Sequence, residues 1–118
     1  MNGVILLAHG SRDSQWVVPF EQIRTAVASR RPECAVALAY LDHSTPDFLG
    51  AVDDLAARGA TSIKVVPLFL GPGGHVRADV PQLIKRASAK HPRLEFDVKP
   101  FIGDARAVLD AIADYAAS

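Results

Sequence analysis

The sequence predicts an α/β domain: a mostly parallel four-stranded sheet in the order 2-1-3-4, doubly wound in the flavodoxin-like manner, with helices on both faces. Three observations lead there. Short unbroken apolar runs alternate with stretches of helical periodicity, the pattern of strands buried on both sides and joined by crossover helices. Helix start and stop residues separate them. No linker, low-complexity segment or internal repeat interrupts the alternation, so one domain over residues 1–118 is expected.

The first run, "GVILLAH", reads as strand one. Trp16, Phe20, Ile23 and Val27 then recur at helical spacing, with Pro19 tolerated in the first turn, and "RRPE" ends that helix. "CAVALAYL" is the second strand. "HSTPDF" starts the second helix, with Ser44 or Thr45 as N-cap, Pro46 at the first helical position and Asp47 at the positive end. Phe48, Val52, Leu55 and Ala56 form its apolar stripe, and Gly59 closes it.

"SIKVVPLFL" is the third strand, with an irregularity expected at Pro67 because proline removes a ladder donor. Val80, Leu83, Ile84 and Ala87 define a third helix beginning around Asp79 to Pro81. "LEFDVKPF" alternates and is the fourth strand, nearer a sheet edge. Asp104 caps a last helix with Val108, Leu109, Ile112 and Tyr115 on its apolar stripe.

Composition narrows the function classes. Half the residues are apolar (49%) and 22% charged, as in an ordinary soluble protein. A formal net charge of zero argues against a dedicated nucleic-acid binder. One cysteine, Cys34, precludes an internal disulfide and is expected to be buried as a small apolar residue. The N-terminus has no basic segment and its apolar run is too short to span a bilayer, so a cytoplasmic protein with no membrane partner is expected.

In a doubly wound sheet of this order, ligands bind at the carboxyl ends of the strands, between strands one and three. "AHGSRD" and "GPGGHVRAD" leave those two strands and should face each other. His9 alone could be hydrogen-bonded within a turn, but with His75 across the same crevice the two imidazoles can share a metal ion. Two histidines leave coordination positions open, which suits a metal in transit. Asp42 or His43, at the end of strand two, could add a ligand or belong to a capping cluster. Arg12 and Arg77 could hold carboxylates of an anionic substrate or pair with Asp13 or Asp79. Trp16 could wall a planar ligand or belong to the core, and His91 reads as a solvated helix end.

"GPGGHV" is a poor phosphate cradle, because Val76 replaces the third glycine of G-x-G-x-x-G and no P-loop lysine follows. The glycines would instead let the backbone approach a flat ligand and aim His75.

Three stretches, "LLAHGSRD", "AYLDHSTPDFLGAVDDLAARGA" and "IKVVPLFLGPGGHVRADVPQLI", resemble the short-form sirohydrochlorin cobaltochelatases, which are class II chelatases. The resemblance implies a chelatase-like domain that is half of a two-lobed architecture, and hence a homodimer. It implies insertion of a divalent metal, cobalt first and nickel or iron also found, into sirohydrochlorin for cobalamin- or sirohaem-type synthesis. The metal is then a substrate, with no permanently bound cofactor. His9 and His75 match the family's metal ligands and proton acceptors. Asp42 is the nearest match to an acidic residue that is often glutamate. Ser11, Arg12, Gly73, Gly74 and Arg77 are expected to contact the macrocycle. A non-catalytic metal or tetrapyrrole carrier using the same crevice is the alternative, and a nucleotide binder the least favoured.

Overall fold

A computed structural model describes all of residues 1–118. In chain order the elements are β1 (Asn2–Ala8), α1 (Val18–Arg30), β2 (Ala35–Tyr40), α2 (Phe48–Ala57), β3 (Ser62–Pro67), α3 (Gly74–Lys90), β4 (Glu95–Val98), a 3-10 turn (Ile102–Asp104) and α4 (Arg106–Ala117). The four strands form one sheet in the order β2-β1-β3-β4, and every neighbouring pair is parallel. The expected order and winding are therefore present.

Central β1 is buried from Gly3 to Ala8, as an unbroken apolar run should be between two parallel neighbours. Its side chains divide the core. Ile5 and Leu7 join Ile63, Val65, Phe48, Val52 and Leu55 on the face covered by α2 and α3. Val4, Leu6 and Ala8 join Leu38 and Tyr40 on the opposite face, where Trp16, Phe20 and Val27 lie against them.

Several boundaries differ from expectation, each for a local reason. Trp16 lies in the turn before α1, its ring centroid 4.4 Å from that of Phe20. The N-cap of α2 is Asp47, whose Oδ1 accepts the Gly50 N–H at 2.8 Å; Pro46 lies outside the helix, after a cis bond. Pro67 ends β3 without costing a ladder bond. Leu68 N–H donates to Leu7 across to β1, so position 67 faces the other way, where β4 has already ended at Val98. The helix α3 begins at Gly74, well before the expected Asp79 to Pro81, and Pro81 is interior to it. Asp104 does not cap α4; its carboxylate pairs with Arg77. Cys34 is only partly buried. His91 is no free helix end: its Nε2 lies 2.7 Å from Asp53 Oδ1, tying the end of α3 to α2.

No helix is long and apolar enough to cross a membrane. The stripe expected on α4 is unburied, with Leu109, Ile112 and Tyr115 at 41%, 44% and 83% exposure.

Tyr40 gives the fold a pH signature. Burial, reinforced by Glu21 and opposed by Arg24, raises its phenol above the ordinary value of 10.0. The folded state then holds the proton after the unfolded chain has released it, so stability complete below pH ~10 is lost as pH rises through the folded value. Melting temperatures of the wild type and Tyr40→Phe should run parallel below pH ~9 and diverge above ~10, with the wild type losing more. Curves that stay parallel to high pH would sink this assignment.

Candidate functional site

The carboxyl ends of β1, β2 and β3 lie along one edge of the sheet, and the loops leaving them are fastened together. Asp42 N–H donates to the His9 carbonyl at 3.0 Å. Ser44 Oγ donates to the Ser11 carbonyl at 3.1 Å and accepts the Ser11 N–H at 3.4 Å. Gly10, at φ +99°, makes the closeness possible: a Cβ there would lie 1.6 Å from the Asp42 carbonyl oxygen. The turn after β1 therefore requires glycine twice, for the left-handed backbone and for the missing side chain.

His9 is exposed immediately after β1, and its ring meets Phe69 edge-on at a centroid distance of 6.3 Å. Phe69 in turn contacts Phe101 at 6.2 Å. Residues after β3 thus support the imidazole that leaves β1.

His75 sits in the first turn of α3, whose N-cap, Gly73, supplies no side-chain hydrogen bond. Its side chain is 90% exposed, with Nε2 3.0 Å from Asp79 Oδ2 one helical turn on. The two groups are within ion-pair distance without hydrogen-bond geometry, and the exposed ring presents its nitrogens to solvent. The glycines of "GPGGHV" thus lead straight into a helix start, with His75 on its rim.

The remaining candidates are placed less directly. Asp42 is exposed; its Oδ1 accepts the His43 N–H at 2.9 Å, and its Oδ2 lies 3.4 Å from His43 Nε2. His43 itself adopts a left-handed φ of 62°. No three His, Cys, Asp or Glu side chains converge closely enough to hold a metal ion, so His9, His75 and Asp42 are not a ready-made ligand set. Arg12 is exposed in the loop that leaves β1. Arg77 is engaged: two nitrogens reach Asp104 at 3.1 and 3.4 Å, and its guanidinium lies 5.0 Å over the Phe101 ring. It would hold a substrate carboxylate only by leaving or sharing that pair.

Asp79, Phe69, Phe101 and Asp104 were not singled out from sequence as site residues. Asp79, four residues after His75 on one helix, was legible in principle. The partnership of Arg77 with Asp104 spans 27 residues and needs the fold.

The CbiX family model matches residues 3–118. The chain belongs to the CbiX family. Its CbiX segment is 27% identical over 97 residues to the sirohydrochlorin cobaltochelatase of Methanosarcina barkeri, covering 82% of this chain and 75% of that protein. It is 28% identical over 83 residues to the enzyme of the same name from Methanococcoides burtonii, covering 70% of this chain and 63% of the relative. The match to the Priestia megaterium enzyme, 30% identical over 96 residues, spans only 31% of that longer protein.

Among solved structures, a CbiX protein of Marinobacter aquaeolei VT8 superposes with a TM-score of 0.86 at 32% identity, over 99% of this chain and 95% of that one. The sirohydrochlorin chelatase SirB of Bacillus subtilis subspecies spizizenii, solved with cobalt, shares the fold with a TM-score of 0.76 at 23% identity. That likeness covers 98% of this chain and 50% of SirB.

The turn at Gly10 can be tested against Gly59, which has a similar φ of +97° but open space where a Cβ would go. Gly59→Ala should cost about 1 kcal/mol from backbone strain alone. Gly10→Ala should cost about 3 kcal/mol or more, because the Asp42 backbone cannot rotate aside as a side chain would. Urea unfolding of both variants decides it; equal losses would mean the two loops are not packed as described.

Proposed function

We propose that this protein inserts a divalent metal ion, cobalt before nickel or iron, into sirohydrochlorin. The observation that supports the reading most directly is that His9 follows β1 and His75 opens the helix reached from the neighbouring parallel strand β3, in a chain of the CbiX family. Sirohydrochlorin cobaltochelatase is what its relatives are named for.

Insertion exchanges two pyrrole protons for one metal ion, so the protein must accept two protons and release the ion at the macrocycle plane. Two neutral imidazoles are suited to both tasks. His75 would act with the Asp79 carboxylate 3.0 Å from its Nε2. His9 would act from the opposite side of the crevice, its ring steadied by Phe69. A loosely held ion fits a donor set that does not close around it, because the macrocycle itself supplies four nitrogens at the end of the reaction. Leu70, 53% exposed just after β3, offers an apolar surface for the flat ring. Arg12 and the uncapped first turn of α3, with Ser11, Gly73 and Gly74 alongside, would receive its carboxylates. Arg77 would join them on exchanging Asp104.

The chain would work as one lobe of a two-lobed enzyme, with a second copy completing it. In support, it aligns with half of the longer SirB chain.

The test is the absorbance change of sirohydrochlorin on adding cobalt(II), nickel(II) or iron(II), with and without protein. Acceleration with at least one metal, at several products per protein molecule, is expected. No acceleration with any metal overturns the reading, and a limit of one product per molecule makes the protein a carrier. His9→Ala and His75→Ala should each lower kcat/KM by about 10²- to 10⁴-fold, and full activity in either removes that residue from the mechanism. Asp79→Asn should cost about tenfold in kcat yet add nothing to His75→Ala, as expected of a group acting through the imidazole. Additive losses would contradict that.

A further inference from the structure

The segment that carries His75 is poorly held by its own sequence. A Cβ on Gly71, Gly73 or Gly74 would meet nothing within 4 Å, so the chain enters α3 through open space. The N-cap, Gly73, offers the first turn no side-chain hydrogen bond. Pro81 then removes the bond that the Arg77 carbonyl would receive. Val76 leans on the core cluster, but the carboxylate beside His75 is Asp79, which belongs to the same helix and moves with it. A helix start with so few bonds belongs to the low-stability end of a structure.

The missing hold comes from elsewhere in the chain. Arg77 reaches both carboxylate oxygens of Asp104, at 3.1 and 3.4 Å, a two-pronged contact that fixes direction as well as distance. Its guanidinium also lies 5.0 Å over the Phe101 ring. Both partners stand on a firm base. Asp104 N–H donates to the Phe101 carbonyl at 2.8 Å, and Gly103 N–H to the Phe69 carbonyl at 3.2 Å. A Cβ on Gly103 would stand 1.7 Å from the Leu70 carbonyl oxygen, so this turn is pressed onto the loop after β3. Phe101 meets Phe69 at 6.2 Å, and Phe69 meets His9 at 6.3 Å. One packed series thus runs from the His9 ring to Arg77, two positions after His75.

We infer that Asp104 is a positioning residue for His75. Acting through Arg77, it holds the first turn of α3 on Phe101 and so fixes where His75 stands when the metal ion arrives. The inference rests on the metal-handling role proposed above for His75. It concerns the stage before the macrocycle binds, and a substrate carboxylate that later takes Arg77 inherits the hold. The size of the interaction suits the task. Arg77 and Asp104 are 48% and 49% exposed, so the pair and the ring contact together are worth a factor of about 5. That is small beside global stability, yet it decides whether a turn balanced between formed and frayed is formed.

Amide hydrogen exchange and insertion kinetics of Asp104→Ala, measured on the full chain, test this. Exchange at residues 77–80, whose N–H groups close the first turn, should quicken ~3- to 10-fold, with the amides of β1 and β3 unchanged. The KM for cobalt(II) should rise by a similar factor, while the KM for sirohydrochlorin does not rise. Asp104→Glu keeps the carboxylate and should recover most of both losses. Phe101→Leu keeps apolar bulk without the ring face and should reproduce them. In a His75→Ala background, Asp104→Ala should leave the residual rate unchanged. Unaltered exchange at 77–80 overturns the inference, and so does faster exchange with an unchanged KM for cobalt. A fall in the sirohydrochlorin KM alone would make Asp104 a mere competitor for Arg77, and faster exchange throughout the sheet would make it a general stabiliser; either result overturns it. If the wild type inserts no metal, the proposed activity fails and calorimetry with cobalt(II) alone decides the inference. Binding ~3- to 10-fold weaker in Asp104→Ala then upholds it, and equal or absent binding overturns it.

Discussion

Strand β1 is hydrogen-bonded along its length to β2 on one side and β3 on the other, all three running the same way. Parallel pairing brings the carboxyl ends of the three strands to a single edge. His9 leaves the middle strand there, Asp42 follows one neighbour, and the loop to His75 follows the other. The candidate site is therefore a consequence of sheet order, reinforced by the Ser44 hydroxyl bonded to the Ser11 backbone. Tighter fastening is added by backbone, through Gly10 against Asp42 and Gly103 against Leu70, where no side chain could fit between the chains.

Strand identity and order were legible because burial on both faces leaves an unmistakable trace: "GVILLA" has no polar residue, and neither has "AVALA". The helix starts were harder, and prolines show why. Pro19 sits in the first turn of α1, as a missing N–H allows. The start of α3 was placed too late, at the apolar stripe that opens with Val80; Pro81 is interior and forfeits a bond to the Arg77 carbonyl. Nothing in "GPGG" announced the true start, because a glycine N-cap works through backbone alone and the first turn lacks an apolar stripe. That error had a functional cost. His75 was read as a loop residue, whereas it belongs to a helix, and only a helix brings Asp79 under its ring.

The arginines divide along the same line. Both were read as equally open to a substrate or to a neighbouring carboxylate. The fold gives Arg77 a partner from the far side of the chain, Asp104, together with the Phe101 face. Arg12 has no such arrangement. Local sequence shows which acids are near in the chain, and a residue 27 positions away becomes a neighbour only through the β4 crossover.

The two faces of the sheet are covered unevenly. Two helices and the loops between them enclose the α2–α3 side, where the larger core cluster lies. The other side has α1 over β2 and β1, and α1 contributes no fully buried residue. On β4 that side presents Glu95 and Asp97, with Asp97 paired to Lys99 at 3.0 Å, so the edge strand remains solvated without a covering helix. Between that polar edge and α1 lies a strip of apolar side chains on β1 and β3 too narrow to form a second core and too apolar to be left to water. The helix α4 carries an unburied apolar stripe nearby, and the turn before it is fastened to the loop after β3 through Gly103 N–H and the Phe69 carbonyl.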